Sequence, residues 1–160
     1  MVDLRPVAYV IGRILIVLAI LMLAPAIIDW RAGLENGYDF LASAALTGVV
    51  GGGLTLSTGN ALGKLLDTRQ AYLLTAGIWF LVPLFAALPF WIGAPGLDLN
   101  YAYFEAVSGI TTTGSTVIFG LDDLPAGMNL WRGMLNWLGG LGIAFIAMIF
   151  LPLMRVGGMQ

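Results

Sequence analysis

A chain of 160 residues that is 59% hydrophobic and only 10% charged, with a mean hydropathy of +0.93, lies far outside the range of soluble domains and reads as an integral membrane protein. Its formal net charge of -2 says little, because in a membrane chain the place of each charge matters more than the sum, and no basic tract points to nucleic acid. Cysteine and histidine are both absent, which excludes disulfides, thiolate nucleophiles, Cys/His metal sites and every Ser-His or Cys-His catalytic pair.

The first apolar run, 7–28, is long enough to cross a bilayer at about 1.5 Å of rise per residue. Its one charge, Arg13, lies close enough to the start to snorkel to the headgroups. Ala24-Pro25-Ala26 has the small-x-small form of a signal-peptide cleavage site, but the proline and the following Ile27 and Ile28 make a poor one. Pro25 is expected instead to bend or end a retained helix as it leaves the membrane. Asp29, Arg31, Glu35 and Asp39 then mark an aqueous turn. The second run, 40–62, is broken up by small residues, and Gly48 with Gly52 has the GxxxG spacing that lets a neighbouring backbone approach. A hinge at 51–53 is the rival use of those glycines and would show as a break in the helix.

Lys64, Asp67 and Arg69 form the next loop, and 71–92 is the third run, with Pro83 and Pro89 expected to kink it or end it early. A turn through Gly93, Pro95 and Gly96 follows, after which Asp98 or Asn100 is placed to cap a short helix over 101–109. The last run, 130–153, opens with Trp131 and Arg132 and carries Trp137, aromatics that suit an interfacial belt. The fold class expected is an all-α membrane protein: four transmembrane helices plus one re-entrant helix and loop.

The re-entrant part is the stretch 104–120, FEAVSGITTTGSTVIFG, too short and polar to cross and flanked by apolar runs. Non-helical backbone at membrane depth must be buried in protein or face water, since an unsatisfied peptide group in hydrocarbon costs several kcal/mol, on the order of a full lost hydrogen bond. Thr111, Thr112, Thr113, Gly114, Ser115 and Thr116 form a line of close-spaced oxygens that suits a cation shedding its water. Gly114 reaches positive φ at little cost, and threonine hydroxyls add ligands or hold the strand. Taken alone, a Ser/Thr/Gly-rich segment is usually an ordinary loop; the flanking helices raise the specificity of the pattern. Glu105 could attract cations, but holding the loop by hydrogen bonds is the favoured role, because a fixed carboxylate on the path binds too tightly to conduct. Asp122 and Asp123 either concentrate cations at the mouth or are simply solvated. Arg132 is expected near the outer interface, paired with an acid or with loop carbonyls.

Arg5, Arg13, Lys64, Arg69 and Arg155 fall on one side of this topology and only Arg31 and Arg132 on the other, so the N-terminus is expected to be cytoplasmic and the loop to enter from outside. Ser108-Gly109 has the form of a serine-nucleophile motif, but without histidine or a pair of membrane-centred aspartates an intramembrane protease has no machinery, and no enzyme is expected.

FEAVSGITTTGST, LWRGMLNWLGGLGI and LPLMRVGGMQ, in this order, resemble the first pore repeat of the TrkH-type subunit of bacterial potassium uptake systems, in the Trk/Ktr/HKT superfamily. The resemblance is close over the second half of the chain; the first two helices match only the family's general plan. It implies an N-terminal helix pair over 1–68 and one helix-loop-helix repeat over 69–160, with pore helix 101–110, filter 111–115 and inner helix 130–153. It further implies K+ as the transported ion at Thr112, Thr113 and Gly114, with Thr111 and Ser115 completing the filter and no cofactor. The implied setting is the lipid of a bacterial inner membrane, with a homodimer of full-length subunits and a cytoplasmic nucleotide-binding regulatory subunit as partners. Family members carry four such repeats in one chain, so this one is expected to be a fragment that works with the remaining repeats. Alternatives are a membrane-embedded assembly or regulatory module and a cation channel closed by four copies.

Overall fold

The computed structural model describes residues 3–61 and 66–155, with side chains in the last helix described through residue 144. Lys64, the end of the second apolar run, the side chain of Arg155 and the terminal VGGMQ lie outside the described residues. Six helices follow one another: α1 (Arg5–Arg31), α2 (Asn36–Ser57), α3 (Thr68–Ala86), α4 (Leu88–Ile92), α5 (Leu99–Ile110) and α6 (Ala126–Arg155), with no strand among the described residues. Within those residues three segments are long and apolar enough to cross a membrane, namely α1, α2 and Thr68–Ile92. The fourth long helix, α6, has 30 residues, whereas α5 has 12 and spans only about 18 Å at about 1.5 Å per residue.

α1 does not end at Pro25 but runs six residues past it to Arg31. The reason is tertiary: Pro25 is fully buried, and the last turn is held by the Asp29 carboxylate, which accepts from Asn36 Nδ2 at 2.6 Å and from the Gly127 backbone N–H at 2.6 Å. These bonds offset the one that proline removes. Asp29 therefore does not sit in an aqueous turn; it is fully buried.

α2 is continuous through residues 51–53, so no hinge forms there. It packs antiparallel to α1 at Gly12 and Gly51, where a β-carbon on either would lie 2.8 Å from the carbonyl oxygen of the other. The GxxxG pair is not the contact: a β-carbon on Gly48 would meet only Ala19 at 3.6 Å, and on Gly52 nothing within 4 Å. The packed face is instead Ser43, Thr47, Gly51 and Thr55, every fourth residue and so one ridge of the helix. Each hydroxyl on that ridge donates to the carbonyl four residues back, at 2.7 to 2.8 Å, so close packing leaves no polar atom orphaned.

α3 starts at a capping box, Asp67 accepting from Gln70 N while the Gln70 side chain accepts from Asp67 N. It passes through Pro83 and stops at Ala87, where Pro89 opens the short α4, as its missing N–H dictates. Phe90 N–H turns to Ala87 O at 3.0 Å, and the Ala86 carbonyl thus released accepts the indole N–H of Trp131 at 3.0 Å. Trp131 is not interfacial: it is fully buried, edge-on to Phe40 with ring centroids 6.2 Å apart. Trp137, by contrast, is exposed, and Trp30, Tyr38, Trp91 and Tyr101 form an exposed aromatic set at the end where α1 meets α2 and α4 meets α5.

Candidate functional site

The turn between α1 and α2 explains why the chain enters and leaves on one face. Asn36 Oδ1 accepts from Ala94 N at 2.8 Å in the turn before α5, and Asp29 accepts from Gly127 N in the first turn of α6. The two ends of the re-entrant segment are thereby fastened to neighbouring side chains, and α5 with its loop must descend and return between them. Asp98 stands at the N-cap of α5 but makes no side-chain cap bond, and Asn100 lies within the helix. The helix begins at Leu99 regardless, with Ala102 N bonded to Asp98 O at 2.9 Å.

α5 ends against α6. A β-carbon on Gly109 would lie 2.9 Å from Leu135 Cβ, and one on Gly139 would lie 1.9 Å from Ile110 O. Gly139 is about 20 Å along α6 from its start, roughly the middle of a hydrocarbon core of about 30 Å once the headgroup zone is allowed for. The C-terminal, partially negative end of α5 therefore points into the interior at mid-depth.

From that point the loop folds on Ser108. The Ser108 carbonyl accepts from Thr113 N at 3.0 Å and Gly114 N at 3.5 Å, and its hydroxyl donates to Ser115 O at 2.6 Å. Thr111 Oγ1 donates back to Val107 O at 2.8 Å and lies 2.8 Å from Thr113 Oγ1. Thr112 has φ +57° and Gly114 φ +76°, while Thr111 has φ -81°. The sign of φ changes along the loop, which breaks the two-residue repeat of a strand, so successive carbonyls need not point to opposite sides. The carbonyl oxygens of Thr112, Thr113 and Gly114 accept no hydrogen bond from the described residues, and all three residues are exposed.

Glu105 braces the returning limb. Its Oε1 accepts from Thr116 Oγ1 and from Val117 N at 2.6 Å, and its Oε2 lies 3.5 Å from Arg132 Nε on α6. The carboxylate is almost wholly buried, with 3% of the side chain exposed. Arg132 pairs with an acid, as its charge requires at this depth. Glu105, Ser108, Gly114, Ser115, Asn129 and Arg132 line a half-open cleft of about 290 Å³. Asp122 and Asp123 lie exposed in a single 3-10 turn, Leu121–Asp123, tied to α6 by Asn129 Nδ2 donating to Leu121 O at 2.8 Å.

Of the residues singled out from sequence, Glu105, Thr111 to Thr116 and Arg132 lie in or against one loop, whereas Asp122 and Asp123 lie apart in the 3-10 turn. Ser108 was visible in sequence only as part of a nucleophile-like pair; its hydroxyl is spent closing the loop. Asp29 and Asn36 carried no local signal, since apart from each other the partners they bind lie 98 and 58 residues away. Among the described residues no group of three or more acidic side chains gathers to hold a metal.

A short helix that ends against the middle of α6 in a non-helical loop, packed among longer apolar helices, defines an all-α membrane protein. The family profile of TrkH, described as a cation transport protein, matches residues 36–160, and the chain belongs to that family. It is 39% identical over 157 residues to the Trk system potassium uptake protein TrkI of Halomonas elongata, covering 97% of this chain and 31% of that protein. It is 33% identical over 159 residues to the Trk system potassium uptake protein TrkH of Escherichia coli, covering 98% of this chain and 32% of that one. The crystal structure of the potassium transporter TrkH from Vibrio parahaemolyticus superposes with a TM-score of 0.88 at 31% identity, over 99% of this chain and 34% of that one. The chain thus spans about a third of the length of the relatives it matches.

Proposed function

We propose that this chain forms part of a potassium-translocating protein of the bacterial plasma membrane, and that Thr111, Thr112, Thr113, Gly114 and Ser115 form one wall of its selectivity filter. The observation that carries this is the run of carbonyls at Thr112, Thr113 and Gly114, which accept no hydrogen bond among the described residues although they lie in a loop flanked by apolar helices, where an unsatisfied peptide group is costly. A dehydrated monovalent cation passing along them is the partner that fits, since neutral carbonyl oxygens replace its water without trapping it. The relatives' names, potassium uptake proteins, supply the ion.

One loop surrounds only part of an ion. The reading therefore divides the chain into an N-terminal helix pair over 1–68 and one pore repeat over 69–160, and assigns the rest of the ring to further repeats of the same protein. Arg5 and Arg69 lie at the end opposite Arg31, since Gln70 Nε2 donates to Asp3 O at 2.7 Å, and the basic side is taken as cytoplasmic. The loop then enters from outside. A homodimer and a cytoplasmic nucleotide-binding subunit complete the proposed assembly.

The test is complementation. The intact transporter that carries this chain should restore growth at low K+ to cells lacking potassium uptake, and Gly114→Ser should admit Na+ and lower the K+/Na+ uptake ratio by about tenfold, the factor that about 1.4 kcal/mol corresponds to. An unchanged ratio in a well-expressed variant would sink the filter assignment. Loss of assembly with normal flux per assembled molecule would favour a packing module instead.

A further inference from the structure

The Asp29 carboxylate and the Asn36 amide form a buried polar node where α1 turns into α2. The carboxylate is fully buried and occupied on both oxygens, by Asn36 Nδ2 and Gly127 N, each at 2.6 Å. Through Gly127 it supplies the anion that the amino end of α6 attracts, and α6 has no residue of its own that does so in its first turn. Asn36 uses its amide nitrogen on Asp29 and its amide oxygen on Ala94 N, the latter at 2.8 Å. The fit leaves no slack: a β-carbon on Gly127 would lie 2.5 Å from Asp29 Oδ2, and one on Gly93 would lie 2.6 Å from Asn36 Oδ1.

Each bond fixes one side of the re-entrant segment. Ala94 precedes α5, which carries Glu105 and Ser108; Gly127 begins α6, which carries Arg132, Leu135 and Gly139. The loop depends on the distance between those two helices, because Glu105 reaches Arg132 and Ile110 lies on Gly139. We infer that Asp29 and Asn36 are positioning residues for the loop, so that the N-terminal helix pair acts as a clamp that sets the spacing of α5 and α6 at the outer face. This rests on the reading of that loop as an ion path only for its consequence on selectivity; the clamp itself is geometric.

The chain itself holds no cysteine, so pairs of labels can be placed in it within an intact transporter from which any cysteines elsewhere have been replaced. Spin labels at Tyr101, exposed in the first turn of α5, and at Ala126, exposed at the start of α6, report the spacing. Asp29→Ala should broaden and lengthen the distance distribution, while Asp29→Asn, which keeps an acceptor for Gly127 N but sets an amide N–H against Asn36 Nδ2, should restore only part of the parental distance. Identical distributions in all three proteins overturn the clamp. In the unlabelled proteins, Asp29→Ala should lower the K+/Na+ uptake ratio per folded molecule by about tenfold, with a smaller loss in Asp29→Asn; a lower yield of folded protein with the ratio unchanged overturns the link to the loop. A parental protein that carries no K+ at all sinks the potassium reading alone, and the label distances still decide the clamp.

Discussion

The carbonyl oxygen of Ile110 lies where a β-carbon on Gly139 would stand, 1.9 Å from it. The last residue of α5 and the middle of α6 are thus in backbone contact, and the loop leaves from that contact.

Gly139→Ala should therefore drive the two helices apart. Overpacking costs about 1–3 kcal/mol, and a backbone obstacle, which cannot swing aside like a side chain, places this change at the upper end. The variant should unfold at lower temperature in detergent and discriminate poorly between K+ and Na+. Gly142→Ala is the control, because a β-carbon there meets nothing within 4 Å. It should stay within about 0.5 kcal/mol of the parent.

Glu105 performs two tasks that substitution can separate. Glu105→Gln keeps an oxygen for Thr116 and Val117 but leaves Arg132 Nε, which already lacks a hydrogen-bond partner, without a countercharge. Breaking a buried pair from one side costs about 3 kcal/mol at the low end, where this one falls because 21% of the Arg132 side chain remains exposed. Arg132→Gln added to Glu105→Gln should recover part of that loss, giving a coupling of about 1–2 kcal/mol in a denaturant titration of the purified proteins. Strict additivity would mean that the pair does not interact.

Much of this arrangement was legible in the sequence, because membrane rules are strong. The apolar runs located α1, α2 and α3, Pro89 located the break after α3, and a short polar Thr/Gly segment between apolar runs located the loop. What remained hidden depended on contacts made at a distance. Charge alone put Asp29 in water, and its aromatic type put Trp131 at an interface, yet their partners Gly127 and Ala86 lie 98 and 45 residues away. Likewise Gly48 and Gly52 had the expected spacing, while the contact fell to Gly51, whose partner Gly12 is in another helix. Spacing identifies a face; only the neighbour decides which residue on it must be small.

Trp131 and Pro89 form a coupled pair by the same logic. Trp131→Phe keeps an aromatic edge against Phe40 but strands the buried Ala86 carbonyl that the indole N–H now serves. A stranded buried acceptor costs about 1–3 kcal/mol. Pro89→Ala restores an N–H at 89 and lets α3 continue into α4, returning Phe90 N–H to Ala86 O. The double variant should therefore be more stable than Trp131→Phe alone, a rescue readable as a higher melting temperature in detergent.

Thr112 is the sole non-glycine residue with positive φ among those described, at +57°. A β-carbon in that region costs about 1–2 kcal/mol, so the surrounding structure must hold the residue there. The Ser108 clasp on either side of Gly114, together with Glu105 on the returning limb, provides that hold. Thr112→Gly removes the steric cost and should leave thermal stability unchanged within about 1 kcal/mol, because the gain is offset by the greater freedom of glycine in the unfolded chain. The loop, however, loses the restraint that keeps its carbonyls in one arrangement, and K+/Na+ discrimination should fall. Thr112→Val is the control: it keeps the β-branch and with it the same strain, and the hydroxyl that it removes is exposed, so stability should stay within about 0.5 kcal/mol of the parent. If Thr112→Gly loses stability while its ion discrimination is retained, the positive φ is not a strain held for the sake of the loop.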